Sequence, residues 1–299
     1  MEVSVHRPVP PLDGFVESIT AFSDYRPGHG REILLPDGAV EIVVDLSERP
    51  KSLFDGPDGP ILTEFRNAWV SGLRDRPIVI EAQQGAALLI IRLRPEGAGA
   101  ILGPAIAELG GRVVDLHAVL DRAALSLRDR ILAAGDLDEA VAAALSWVGE
   151  RAPVAPDPLV RWLVRRLHAQ TACRIADLAD SAGLGERQLR NRFRAQTGIG
   201  LKRFQRIARF QRVLGAVSRG RGEDWEDRML RGARLARPDW ADLAQEFGYS
   251  DQSHLTADFA AFAGMSPGKY AARYRGMASH LPTDPAVSDF SKTGGDATG

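Results

Sequence analysis

One pattern occurs twice in the C-terminal half of this chain, and it leaves few folds open. The first copy runs Leu178-Ala179-Asp180-Ser181-Ala182-Gly183-Leu184 and continues to Leu189, Phe193 and Gly198. The second runs Leu243-Ala244-Gln245-Glu246-Phe247-Gly248-Tyr249 and continues to Leu255, Phe259 and Gly264. The offset is 65 residues up to the glycine (Gly183 to Gly248) and 66 after it (Leu189 to Leu255, Phe193 to Phe259, Phe204 to Tyr270). A short helix, a glycine turn and a second helix with apolar residues at i and i+4 make a helix-turn-helix. Two such units can place two recognition helices in successive major grooves of one duplex.

The charge distribution points the same way. The net charge of −1 conceals an asymmetry. Residues 1–158 carry 15 Lys and Arg against 24 Asp and Glu, a net of −9. Residues 159–276 carry 22 against 12, a net of +10, clustered on the repeated motif. A basic half joined to an acidic half is the layout of a nucleic-acid module attached to something that must not stick to phosphates.

A length of 299 residues predicts two domains, and 44% hydrophobic content can give each a core. No apolar stretch has membrane-spanning length. The start, MEVSVHRPVPPLDG, is too broken by charge and proline for a leader, so the expected location is the cytoplasm. Cys173 is the single cysteine, which excludes an internal disulfide and a multi-thiolate metal site.

Short strands with Gly and Pro punctuation are predicted at 32–35, 39–46, 69–72, 77–81 and 87–94, with KSLFDGPDGP at 51–60 read as an exposed loop. They suggest a small barrel or sandwich. Helical periodicity follows over 98–109, Asp115 to Ala134 and Asp136 to Val148, with Asp136 as an N-cap. The expected fold class is therefore α+β: an N-terminal cupin-like β-barrel or sandwich with helices, then an all-α double helix-turn-helix. The expected domains are 1–150, a proline-rich linker 151–158, the reader 159–276 and a disordered tail 277–299. The next helix, Leu159 to His168, should carry Trp162, Leu163 and Leu167 inward.

In the first unit Ile175 to Ala182 is the supporting helix and Glu186 to Gln196 the recognition helix. Ile175, Leu178, Ala182, Leu189 and Phe193 face the core, leaving Arg187, Gln188, Arg190, Asn191 and Arg194 outside. Arg is the usual bidentate reader of guanine and Asn of adenine. Arg194, near the helix end, suits a phosphate. Arg192 could pair with Asp177 or Asp180. In the second unit Ser250 is the expected N-cap, and Gln252, Ser253, His254 and Thr256 are the hydrogen-bonding candidates. That helix carries Asp258 and no Arg or Lys, so specificity should lean on the first unit. The sequence offers no catalytic constellation, no metal cluster (His6, His29 and His117 do not form one) and no cofactor motif. Phe22, Tyr25, Phe65 and Trp69 could line a ligand cavity.

The tandem units resemble the DNA-binding domain of the AraC/XylS family of bacterial transcription regulators. The resemblance spans Leu159 to Arg275. Its most specific stretch is Phe247-Gly248-Tyr249-Ser250-Asp251-Gln252-Ser253-His254-Leu255, followed by Phe259 and Gly264-Met265-Ser266-Pro267-Gly268-Lys269-Tyr270. It implies a seven-helix module with a long helix, Phe204 to Val217, joining the units on promoter DNA. Three features depart from the family pattern: Gly185 stands where an N-cap Ser is usual, Ala257 at a frequently basic position, and the joint 218–238 is extended. That joint could carry phosphate contacts at Arg219, Arg221, Arg231, Arg234 and Arg237. The N-terminal half resembles the β-rich sensors of such regulators, including a subgroup with a turn like Leu35-Pro36-Asp37-Gly38.

The leading reading is a sequence-specific, non-enzymatic regulator whose N-terminal half binds a small effector or dimerises, the stripe Leu116, Val119, Leu120 and Leu127 being the dimer signal. RNA polymerase is a further partner that this implies. The alternatives are a cupin-like enzyme with an appended DNA module, in which Cys173 is the only thiol, and a protein-binding adaptor.

Overall fold

The computed structural model describes residues 2–47, 49–152, 155–170, 173–218, 238–274 and 278–283. Among these described residues ten strands form in the N-terminal half: β1 (Glu2–His6), β2 (Val16–Tyr25), β3 (Arg31–Leu34), β4 (Val40–Asp45), β5 (Lys51–Phe54), β6 (Ile61–Phe65), β7 (Ala68–Ser71), β8 (Ile78–Glu81), β9 (Ala86–Leu93) and β10 (Val113–Asp115). They build two antiparallel sheets, one ordered β1-β2-β9-β4-β7-β10 and the other led by β3-β8-β5-β6. The arrangement is a two-sheet sandwich; among the described residues no barrel closes. The two faces of the larger sheet differ. Ile19, Ile91, Ile42 and Val70 share one row, and Ala21, Leu89, Val44 and Ala68 the next, all buried against the helices. The other face carries Thr20, Ile90, Val43 and Trp69, with Phe22 and Leu88 beside them, mostly half-buried, and meets the smaller sheet where Trp69 stacks on Phe65 at 5.8 Å.

Several expectations change here. The segment 51–60 is half strand: β5 occupies 51–54, and only 55–60 is the loop of its hairpin with β6. Strand β2, the longest, was not anticipated because register shifts between Val16 and Ser18 and between Phe22 and Tyr25 break the alternation on which strand reading depends. The helix expected over 115–134 is divided. β10 ends at Asp115, α2 (His117–Leu120) is one turn, and Asp121 at φ 47° precedes α3 (Arg122–Leu132). Before these, α1 (Pro95–Leu102) runs into a 3-10 turn, Gly103–Glu108. After them comes α4 (Leu137–Arg151), capped by Asp136, whose side chain accepts from the Glu139 N–H at 2.8 Å. Leu116 and Leu127 are fully buried, with Val119 and Leu120 packed on the same core, so the supposed dimer stripe closes the sandwich.

The C-terminal half is helical: α5 (Pro158–Ala169), α6 (Ile175–Ser181), α7 (Glu186–Thr197), α8 (Leu201–Ser218), α9 (Trp240–Glu246), α10 (Gln252–Ala263) and α11 (Pro267–Arg273). Leu163 and Leu167 turn inward on α5 as expected, whereas Trp162 is 37% exposed. Helix α8 buries Ile207, Phe210, Val213 and Leu214 and, at 18 residues, extends roughly 27 Å. The joint after Ser218, with Arg219, Arg221, Arg231, Arg234 and Arg237, lies outside the described residues. Of the tail 277–299 expected to be disordered, residues 278–283 are described and depart from that expectation: β11 (His280–Pro282) pairs antiparallel with β3 and becomes the edge of the smaller sheet, while 277 and 284–299 lie outside the described residues. Thus the chain, after finishing its helices, returns to the β half. Residues of both halves belong to one continuous apolar core.

Candidate nucleic-acid interface

The two units repeat in three dimensions with the offsets seen in the sequence. Helices α6 and α9 begin 65 residues apart, and α7 and α10 begin 66 apart. Gly183 and Gly248 both adopt left-handed φ, 64° and 73°, which is why each turn needs glycine. Equivalent backbone bonds close the turns, Leu184 N–H to Ala179 O at 3.0 Å and Tyr249 N–H to Ala244 O at 2.9 Å. Each unit is centred on the same aromatic contact, Phe193 with Phe204 and Phe259 with Tyr270, both at 5.3 Å. Leu189, Phe193, Leu255 and Phe259 are buried, so the opposite faces of α7 and α10 must point outward.

On α7 the residues Arg187, Gln188, Arg190, Asn191 and Arg194 are all exposed. Arg187, Gln188 and Asn191, with Gly185 and Arg192, line one shallow open depression. Arg190 leans back along the helix to Glu186 at 2.5 Å, an exposed i,i+4 pair that would have to open or share before reaching a base. Arg192 pairs with neither Asp177 nor Asp180. It grips Asp157 with two bonds, 2.6 and 3.1 Å, and so ties α7 to the N-cap of α5. Burial works against the Asp157 carboxylate, but the Arg192 bond and the Val160 and Leu159 N–H groups hold its pKa below the usual value. The sequence reading missed this partner because it lies 35 residues away, beyond any helical spacing. As the sequence indicated, α7 has no side-chain cap, Gly185 supplying none.

On α10 the residues Gln252, Ser253 and His254 are exposed and Thr256 is only half-exposed. The cap is Asp251 rather than Ser250: its carboxylate accepts from the His254 N–H at 2.7 Å. That bond lowers the pKa of Asp251. The Ser250 hydroxyl donates to Asp251 at 3.2 Å, and His254 Nδ1 sits 3.2 Å from the same hydroxyl and 3.4 Å from the Ser250 amide, which donates to it. His254 is also held edge-on to Tyr249 at 5.2 Å.

Asp258, the acidic residue that weakened the second helix as a reader, does not face outward. It is buried and bound to Arg206 of α8 at 2.7 Å. Arg206, Arg209 and Arg212 lie over the rings of Phe262, Tyr249 and Phe247 at 5.1, 4.9 and 5.1 Å. Part of the basic excess of this half therefore joins α8 to the second unit by cation–π contact. Their spacing at 206, 209 and 212 along one helix face was the signal available in the sequence.

The other candidates do not converge. Phe22 meets Tyr25 and Phe65 meets Trp69 as separate pairs. Among the described residues no group of three His, Cys, Asp or Glu side chains is placed to hold a metal. His29 instead binds Glu32 at 2.9 Å, with Tyr25 donating to the same carboxylate and His280 of β11 at 3.7 Å. The Cys173 thiol donates to Gln170 O at 3.1 Å, and burial pushes its pKa up, the opposite of an activated nucleophile.

A protein-family profile described as a domain of unknown function (DUF6597) matches residues 4–115. No curated protein matches the sequence. Among solved structures the chain is similar to ToxT of Vibrio cholerae O395, at 12% identity and a TM-score of 0.45, over 87% of this chain and 99% of that one. It is also similar to that protein bound to (E)-4-(8-methylnaphthalen-1-yl)but-3-enoic acid, at 10% identity and a TM-score of 0.44, over 85% and 98%. A third is wild-type ToxT of Vibrio cholerae strain SCE256 with an unsaturated fatty acid, at 8% identity and a TM-score of 0.44, over 92% and 96%.

Proposed function

We propose that this chain is a sequence-specific DNA-binding transcription regulator of the AraC/XylS type, reading promoter DNA through α7 and α10. The observation that carries the proposal is the pair of glycine-turn units with matched interiors and outward polar faces. Arg187, Gln188, Arg190 and Asn191 supply base contacts, Arg194 a phosphate contact, and Gln252, Ser253, His254 and the half-exposed Thr256 the second, weaker set. In this reading residues 159–276 are the reader and residues 1–150 the sensor. The half-buried apolar face between the sheets, with Phe22, Leu88, Ile90 and Trp69, suits a small apolar effector.

The chain also acts as a homodimer in this proposal, but not through the stripe first named, which is core. The outward face of α3 carries Leu125 and Leu132, 46% and 44% exposed and seven residues apart, which suits a partner helix. RNA polymerase contact remains part of the reading on resemblance alone.

The test is selection of duplexes from a random pool by the full chain, followed by fluorescence anisotropy across salt concentrations. A selected sequence and a steep inverse salt dependence are expected, because phosphate contact releases counterions. A flat salt response with no selected sequence would overturn the proposal.

A further inference from the structure

The sensor half grips both recognition helices by their C-terminal ends. At the end of α7, Gly198 lies so close to the 3-10 turn that a Cβ there would sit 2.3 Å from Ile106 O. A Cβ on Gly110 would meet Gly198 O at 2.3 Å, so neither backbone has room for a side chain. At the end of α10, the site of a Cβ on Gly264 is 3.2 Å from Pro77. The base-facing residues lie at the opposite, N-terminal ends of these helices, so the sensor backs the reading faces without covering them.

One loop, 72–77, joins β7 to β8 and reaches two of the helices, α8 and α10. Arg74 is 2% exposed and points inward, binding Asp37 at 3.0 Å, Glu41 at 2.9 Å and the Ser71 hydroxyl at 3.0 Å. Arg92 bridges the same Asp37 and Glu41, so the turn Leu35-Pro36-Asp37-Gly38 is fixed from two sides. Pro36 O of that turn accepts a hydrogen bond from Gln211 in the middle of α8. The next residue, Asp75, binds Arg203 at the start of α8 at 2.7 Å. Pro77, two residues on, is the contact with the tail of α10. The loop thus touches the start of α8, the helix that separates the two reading helices, and the C-terminal end of α10, and Arg74 anchors it in a buried ion network. Such a network holds a single arrangement, since losing either partner strands a buried charge.

We infer that loop 72–77 is a brace, with Asp75 and Pro77 as positioning residues that fix the spacing and angle of α7 and α10 as seen by DNA. The inference rests on the DNA-reading proposal and deepens it: discrimination between correctly and incorrectly spaced half-elements depends on a sensor residue that never touches DNA. Asp75 is the residue to change, because removing Arg74 would strand buried carboxylates and risk the fold itself.

The experiment compares the full chain with Asp75→Asn, Arg203→Gln and the exchanged pair Asp75→Arg/Arg203→Asp. The first readout is affinity for the selected duplex against the same duplex with one base pair inserted between its two half-elements. The wild-type chain is expected to lose affinity on insertion, and the single variants to reduce that discrimination by about five- to tenfold, the lower range of site-to-site coupling. The exchanged pair should regain it. The second readout needs no DNA: amide hydrogen exchange at the start of α8 and at the end of α10 should speed up in the single variants and not in the exchanged pair. Unchanged exchange together with unchanged spacing discrimination would overturn the brace. Faster exchange in a chain that selects no DNA would keep the brace and remove the DNA reading.

Discussion

The two helix-turn-helix units share a backbone plan and differ in almost every outward property. Helix α7 presents Arg187, Arg190 and Arg194 and begins without a side-chain cap. Helix α10 presents Gln252, Ser253 and His254, is capped by Asp251, and turns its one carboxylate, Asp258, inward to Arg206. The arginines of α7 face outward, whereas the arginines that meet the second unit lie on α8 over its aromatic rings. The comparison shows that a repeated core fixes a repeated shape, while the outward positions decide which copy can hold a polyanion. It also explains why net charge overstates what is free to meet a polyanion: Arg192, Arg206, Arg209 and Arg212 are engaged by groups of the chain itself.

The largest effects should fall on what the units share. Phe193→Ala and Phe259→Ala each empty an equivalent, fully buried site and should each cost about 3–5 kcal/mol in a denaturant titration. If one cost far less than the other, the two cores would not be equivalent. Next comes the strut of the second unit. Asp258→Ala should destabilise by roughly 1–3 kcal/mol, below the value for a fully buried pair because Arg206 is 41% exposed. Its effect on DNA affinity should be small; a gain in affinity as large as that from adding a surface arginine would mean that Asp258 faces DNA after all.

The reading faces should separate by specificity. Arg190→Ala should lose on the order of 1–3 kcal/mol at one base position, whereas Arg194→Ala should weaken all duplexes about equally and flatten the salt slope. Quantitative binding to a set of single-base variants decides this, and greater damage from His254→Ala than from Arg190→Ala would reverse the ranking of the units.

Acidification should loosen both units modestly. The pKa values of Asp157 and Asp251 are lowered in the folded chain, so their contribution is present above the ordinary carboxylate value and is lost as pH falls through it and below. A melting temperature that rose between pH 5 and pH 3 would contradict the sign. The smallest effect tests the missing cap. Gly185 has extended backbone and nothing within 4 Å of an added Cβ, so Gly185→Ser should stabilise by a few tenths of a kcal/mol.

Much of this was legible in the sequence. The offsets of 65 and 66 predicted the two units, and the periodicity of 207, 210, 213 and 214 predicted the inward face of α8. Local rules could do this because helix faces and glycine turns are set within a few residues. The same rules failed at β2, where bulges broke the alternation, and at Asp121, whose left-handed backbone splits a run that reads as one helix.

By itself, then, the sequence determined the tandem motif, its buried residues and the outward set on α7, because each follows from spacing along one element. Only the tertiary structure decided which charges remain outward. Arg192 goes to Asp157, Arg203 to Asp75, Asp258 to Arg206, and β11 returns to β3. Each of these joins residues 35 to 250 positions apart, and no periodicity encodes such a distance. Partners of this kind are chosen by how the packed elements bring charges together, and packing is a property of the whole fold.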